Sequence, residues 1–174
     1  KILETSMAVR TGADEIDVVI PVGTFLKGDL DAVIDELKAI REAAGETTLK
    51  VILETGLLKD ERNIYRASII AMESGADFVK TSTGKSSVSA TPEAAWVICR
   101  AIRDYYNETG IMIGFKPAGG IVTPDDAIIY YLIVRNMLHP FQKKVDLVIG
   151  DRLPYEELIK EPDLAVVSSR LREI

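Results

Sequence analysis

The sequence predicts an α/β fold in which parallel strands close into a barrel, and three observations carry that prediction. Short apolar runs alternate with longer segments of helical period along the 174 residues. Each strand-plus-helix unit spans roughly 30 residues, the spacing of right-handed parallel crossovers. Charged residues sit inside otherwise apolar runs, and the period of two puts them on one face of each strand. An open doubly wound sheet buries both faces under helices, where an unpaired charge is costly. A closed barrel turns one face toward its axis, where opposite charges from neighbouring strands meet near the C-terminal mouth.

The elements follow in order. The chain opens on a helical segment, residues 2–9, with no strand candidate before it. Residues 15–20 read as the first strand, with Glu15, Asp17 and Val19 on one face. Asp29 caps a helix through Val33, Ile34, Leu37 and Ile40, closed by Gly45. Residues 49–54 form the next strand, where Lys50, Ile52 and Glu54 share a face. Asp60 caps a helix that carries Ile64, Ala67 and Ala71 and ends before Gly75. Residues 77–82 group Phe78, Lys80 and Ser82, and residues 111–116 group Met112, Gly114 and Lys116, the glycine suiting a crowded interior. Thr91-Pro92-Glu93 and Thr123-Pro124-Asp125-Asp126 repeat one helix start: a hydroxyl cap, proline at the first position, then acids on the positive end. Residues 145–149 and 164–168 are the remaining strand candidates. Trp96, Tyr105 and Tyr106 are expected to pack helix against sheet, and Tyr130-Tyr131 to do likewise or to join a subunit interface between copies of the chain. No low-complexity linker interrupts this pattern, so residues 1–174 read as one domain.

Composition narrows the function. With 47% hydrophobic residues the chain is long enough to bury a core, and its net charge of −6 argues against nucleic acid or an anionic membrane as partner. There is no apolar run of membrane-spanning length and no secretory leader, so a cytoplasmic protein is expected. Cys99 is the single cysteine and His139 the single histidine, which excludes a Cys/His zinc site and leaves His139 without triad partners.

Two lysines stand out against this background. Lys80 lies in Phe78-Val79-Lys80-Thr81-Ser82-Thr83-Gly84-Lys85, and Lys116 in Gly114-Phe115-Lys116-Pro117-Ala118-Gly119-Gly120. At corresponding places in successive units, they suggest an amine kept for chemistry beside a second cation. The plain alternative is a salt-bridged lysine near a strand end, with Asp17 simply pairing with Lys50. Thr83-Gly84-Lys85-Ser86 looks like the end of a nucleotide-binding loop, but that motif needs glycine five residues before Gly84, where Val79 stands.

Four ordered blocks, Gly12-Ala13-Asp14-Glu15-Ile16-Asp17-Val18-Val19-Ile20-Pro21, Lys50-Val51-Ile52-Leu53-Glu54-Thr55-Gly56 and the two lysine segments, closely resemble the deoxyribose-phosphate aldolase family. The resemblance runs from about residue 1 to about residue 135. It implies a (β/α)8 TIM barrel and a class I aldolase that needs no metal or cofactor. Such enzymes reversibly cleave 2-deoxyribose 5-phosphate to glyceraldehyde 3-phosphate and acetaldehyde, so the expected partner is a phosphorylated sugar, and a homo-oligomer is compatible. A full barrel takes about 250 residues. The expectation is therefore a barrel lacking its N-terminal strands, truncated or completed in some other way, with an atypical C-terminal strand region.

Carried across, Lys80 matches the Schiff-base lysine, Lys116 the lysine that keeps it nucleophilic, and Asp17 the proton-transfer aspartate. Lys50 and Glu54 are expected to form a supporting charge network. Gly84, Lys85, Gly119 and Gly120 match backbone that holds the phosphate, helped by the following helix N-terminus; the plain alternative is glycine serving turns. Val122 stands where the family has a basic residue. The family's last phosphate strand has two candidate counterparts, around Gly150-Asp151 and around Ser168-Ser169. An active aldolase, one with an altered acceptor, and a non-catalytic barrel protein that binds a phosphorylated ligand or partner chain are the readings that follow.

Overall fold

The computed structural model describes residues 1–138. His139, the strand candidates 145–149 and 164–168, and both candidate phosphate segments lie outside the described residues. The elements run α1 (Ile2–Arg10), β1 (Glu15–Val19), α2 (Val22–Leu26), α3 (Leu30–Ala44), β2 (Thr48–Ile52), a 3-10 turn (Thr55–Leu57), α4 (Glu61–Glu73), β3 (Phe78–Lys80), α5 (Pro92–Thr109), β4 (Gly114–Lys116) and α6 (Pro124–Leu138). The helix starts follow their caps: Asp29, Asp60 and Thr91 accept from the amides of Ala32, Asn63 and Ala94.

The four strands pair in parallel in the order β1-β2-β3-β4. Among the described residues the expected ring is not closed, since four strands cannot complete a circle that takes eight. Strand alternation divides the sheet cleanly. Ile16, Val18, Leu49, Val51, Val79 and Phe115 face the helices and join Val33, Leu37 and Ile40 of α3, Ala67 and Ala71 of α4, and Ile98 and Ile102 of α5 in one core. Burying each large aliphatic side chain contributes about 1.5–3 kcal/mol. The opposite face carries Glu15, Asp17, Lys50, Phe78, Lys80, Gly114 and Lys116. Register alone makes Asp17 the neighbour of Lys50, Phe78 that of Gly114, and Lys80 that of Lys116.

Gly114 fits as expected. A Cβ there would come within 2.2 Å of the Phe78 ring, so the glycine is the space that ring occupies. Strands β3 and β4 are shorter than the sequence suggests: β3 loses residue 77 and residues 81–82, where single bonds such as Leu53 N to Lys80 O and Thr81 N to Lys116 O continue the ladder, and β4 loses residues 111–113 at its start. Two elements escaped the sequence reading. Helix α2 has only five residues and no side-chain cap, and the 3-10 turn follows Glu54, whose left-handed backbone turns the chain. Trp96 corrects an expectation: it is 44% exposed and stacks on Arg100, which also lies over Tyr65, rather than packing on the sheet. Tyr105 and Tyr130 do pack on the core.

Candidate active site

The charged face converges on one carboxylate. Asp17 Oδ2 accepts from Lys80 Nζ at 2.5 Å and from Lys116 Nζ at 3.2 Å. Its other oxygen lies 3.8 Å from Lys50 Nζ, and Lys50 in turn pairs with Glu15. Lys50 is fully buried, its ammonium also resting over the Phe78 ring. The side chains of Lys80 and Lys116 are only 12% and 18% exposed, whereas Asp17 and Glu15 lie exposed on the same face. Burial pushes the Asp17 carboxyl up, but the hydrogen bonds and charges of Lys80, then of Lys116, outweigh it and hold the group below its ordinary value. Three strands thus place three amines around one acid.

Above the cluster lies a loop, residues 83–90, tied down on both sides. On the β2 side, Glu54 takes bonds from Thr83 Oγ1 at 2.5 Å, Ser86 Oγ at 2.9 Å and, shared between its oxygens, Thr83 N at 3.3 Å. Gly56 lies under Val88, with a Cβ position 2.4 Å from the Val88 carbonyl oxygen. On the β4 side, Thr81 Oγ1 donates to the Ala118 carbonyl and accepts from its amide, and Ala90 N donates to Gly119 O. Gly84 and Gly119 meet here. Both have positive φ, +78° and +90°, and a Cβ on Gly119 would lie 3.2 Å from Gly84 Cα and 2.7 Å from Ser89 Oγ. Gly120 follows, and Lys85 is exposed at the loop tip with its amide on Thr83 Oγ1.

Residues 1–130 match the DeoC/LacD family aldolase. The chain belongs to that family. It is 50% identical over 135 residues to human deoxyribose-phosphate aldolase, a match covering 78% of this chain and 42% of the human protein. To deoxyribose-phosphate aldolase of Agrobacterium fabrum it is 51% identical over 140 residues, 80% of this chain and 52% of that protein. Among solved structures, the deoxyribose phosphate aldolase of Aeropyrum pernix, described as having a unique tetrameric structure, aligns with a TM-score of 0.62 at 30% identity, over 76% of this chain and 53% of that one. The chain spans about half the length of the curated relatives it matches.

Against this family background, the structure gathers Asp17, Lys80, Lys116 and Lys50 into one cluster and Gly84, Lys85, Gly119 and Gly120 into one mouth. Of the two residues expected in a supporting charge network, Lys50 joins the cluster and Glu54 does not. Lys50 turns down the sheet to Glu15 and Asp17, while the left-handed backbone of Glu54 (φ 53°) swings its carboxylate up into the loop. The helix N-terminus expected beside Gly119-Gly120 is already engaged: Asp126 Oδ2 accepts from Val122 N and Thr123 N, and Thr123 Oγ1 from Asp126 N. Val122 itself is 83% exposed. Glu15, Thr81, Thr83 and Ser86 went unnoticed as site-supporting residues. Glu15 was legible, being two residues from Asp17 on the same face; the other three depend on loop folding.

Proposed function

We propose that this chain carries the Schiff-base part of a deoxyribose-phosphate aldolase, and that its four strands are a contiguous arc of a (β/α)8 barrel. The barrel reading rests on the strand order. Neighbour-to-neighbour winding without reversal suits a ring, whereas a doubly wound sheet reverses at a switch point. The aldolase reading rests on one observation above others: Lys80 and Lys116 share a single oxygen of Asp17.

Attack requires Lys80 as a free amine. When Lys80 leaves Asp17, Lys116 remains as the partner of that carboxylate, so neither charge is abandoned. The amine of Lys80 adds to the aldehyde carbon of open-chain 2-deoxyribose 5-phosphate, and loss of water gives a protonated imine. Removal of the C3 hydroxyl proton breaks the C2–C3 bond, and its electron pair flows into the iminium nitrogen. Glyceraldehyde 3-phosphate departs and an enamine stays on Lys80. Protonation of the enamine carbon and addition of water then release acetaldehyde and restore the amine. Asp17, directly or through a water, is the group placed to move these protons. Lys50 with Glu15 holds Asp17 from below. Gly84, Lys85, Gly119 and Gly120 form the phosphate end, where two backbones approach closely enough for their amides to serve an anion.

The acidic composition and the sugar-phosphate substrate fit a cytoplasmic enzyme. An assembly of several copies is the arrangement the Aeropyrum pernix relative suggests.

Borohydride trapping tests the reading. With acetaldehyde or deoxyribose 5-phosphate, a reduced adduct should map to Lys80 by mass spectrometry and vanish in Lys80→Leu. A folded protein that yields no adduct on any lysine would overturn it.

A further inference from the structure

We propose that Glu54 is a positioning residue that locks the 83–86 loop and thereby sets the preference for phosphorylated over unphosphorylated substrate. The inference rests on the aldolase reading above. Glu54 is 6% exposed and touches neither Lys80, Lys116 nor Asp17 among the contacts of the described residues. Its acceptors are filled from the loop: Thr83 N, Thr83 Oγ1 and Ser86 Oγ. These are neutral dipoles. A buried carboxylate held by neutral donors alone is orphaned by any loop shift, so the loop has one well-defined seated position.

That position has a consequence for binding. With Thr83 and Ser86 turned inward to Glu54, Gly84 and Lys85 are left outward at the tip, and Gly84 is set against Gly119. A phosphate bound there would meet a loop already ordered, so little freedom is lost on binding. Without Glu54 the loop would have to be ordered by the phosphate itself. Acetaldehyde, which has no phosphate and reaches Lys80 from the sheet face, would be indifferent to this.

The test compares wild-type chain with Glu54→Gln and Ser86→Ala. Glutamine keeps the size of the side chain but turns an NH2 donor toward donors. In Glu54→Gln, KM for deoxyribose 5-phosphate should rise roughly tenfold or more, from the loss of charge-assisted hydrogen bonds. The rate of borohydride-trapped acetaldehyde adduct on Lys80, and turnover of unphosphorylated deoxyribose, should change by less than about twofold if the loop acts on phosphate alone. Ser86→Ala, which deletes one donor at the loop's outer end, should show a smaller loss of the same kind, and decides the matter if Glu54→Gln does not fold. Equal losses with both sugars, or unchanged KM in both variants, would overturn the inference. A wild-type chain that forms no adduct at Lys80 overturns the aldolase reading instead, before any variant is compared.

Discussion

The charge cluster and the loop above it occupy the same mouth, yet they are held in different ways. Asp17, Lys50, Lys80 and Lys116 sit on strands, and parallel register fixes which of them are neighbours before any side chain chooses a partner. The 83–90 loop has no register. It is placed by a carboxylate from beyond the end of β2, by a glycine under Val88, and by a hydroxyl-to-backbone exchange with Ala118. Strand-borne groups keep their distances when one contact is lost; loop-borne groups depend on every tether. Chemistry that needs two amines on one oxygen belongs on the first kind of support. In the proposed aldolase, recognition of a flexible phosphate end would fall to the second.

Substitutions should separate the two regions, the largest effect first. Asp17→Asn removes the shared acceptor, and kcat should fall by about 10²–10³-fold, the scale of lost acid–base catalysis, with KM little altered. Gly56→Ala strikes the other region. A Cβ there meets backbone at 2.4 Å, so the loop must shift; KM for the phosphorylated sugar should rise roughly tenfold through unseated loop hydrogen bonds, while adduct formation with acetaldehyde persists. Similar losses in kcat and KM for both variants would mean the two supports are not independent.

The last outcome concerns acid stability. The folded carboxyl of Asp17 is held below its ordinary value of 3.8. A depressed value contributes stability that is complete above that ordinary value and is lost as pH falls through the folded one, because the unfolded chain takes up the proton first. The difference in urea stability between wild type and Asp17→Asn should therefore be constant near neutral pH and shrink below about pH 4. A difference that persists unchanged into strong acid would mean the pairing with Lys80 and Lys116 is not what holds the group down.

Much of the cluster was legible in the sequence. A period of two and four charged positions were enough to put Asp17, Lys50, Lys80 and Lys116 on one face, and their order along the chain made them neighbours. Glu54 was misread for the same reason that the others were read well. Alternation assigns it the face of Lys50, but its backbone has left the strand (φ 53°), and alternation fails where extended geometry ends. Trp96 was misplaced because helical spacing names a face without saying which neighbour covers its edge; Arg100, which also lies over Tyr65, gives it an outer one.

By itself the sequence determined the repeating strand–helix units, the caps at Asp29, Asp60, Thr91 and Thr123, and the strand face that carries the lysines. Each follows from local geometry that a few consecutive residues impose. Only the tertiary structure decided that Lys80 and Lys116 share one oxygen rather than two, that Lys50 belongs to Glu15, and that Gly84 closes on Gly119. Those choices hang on contacts between residues far apart in the chain, where packing and competition for a single carboxylate select the partner.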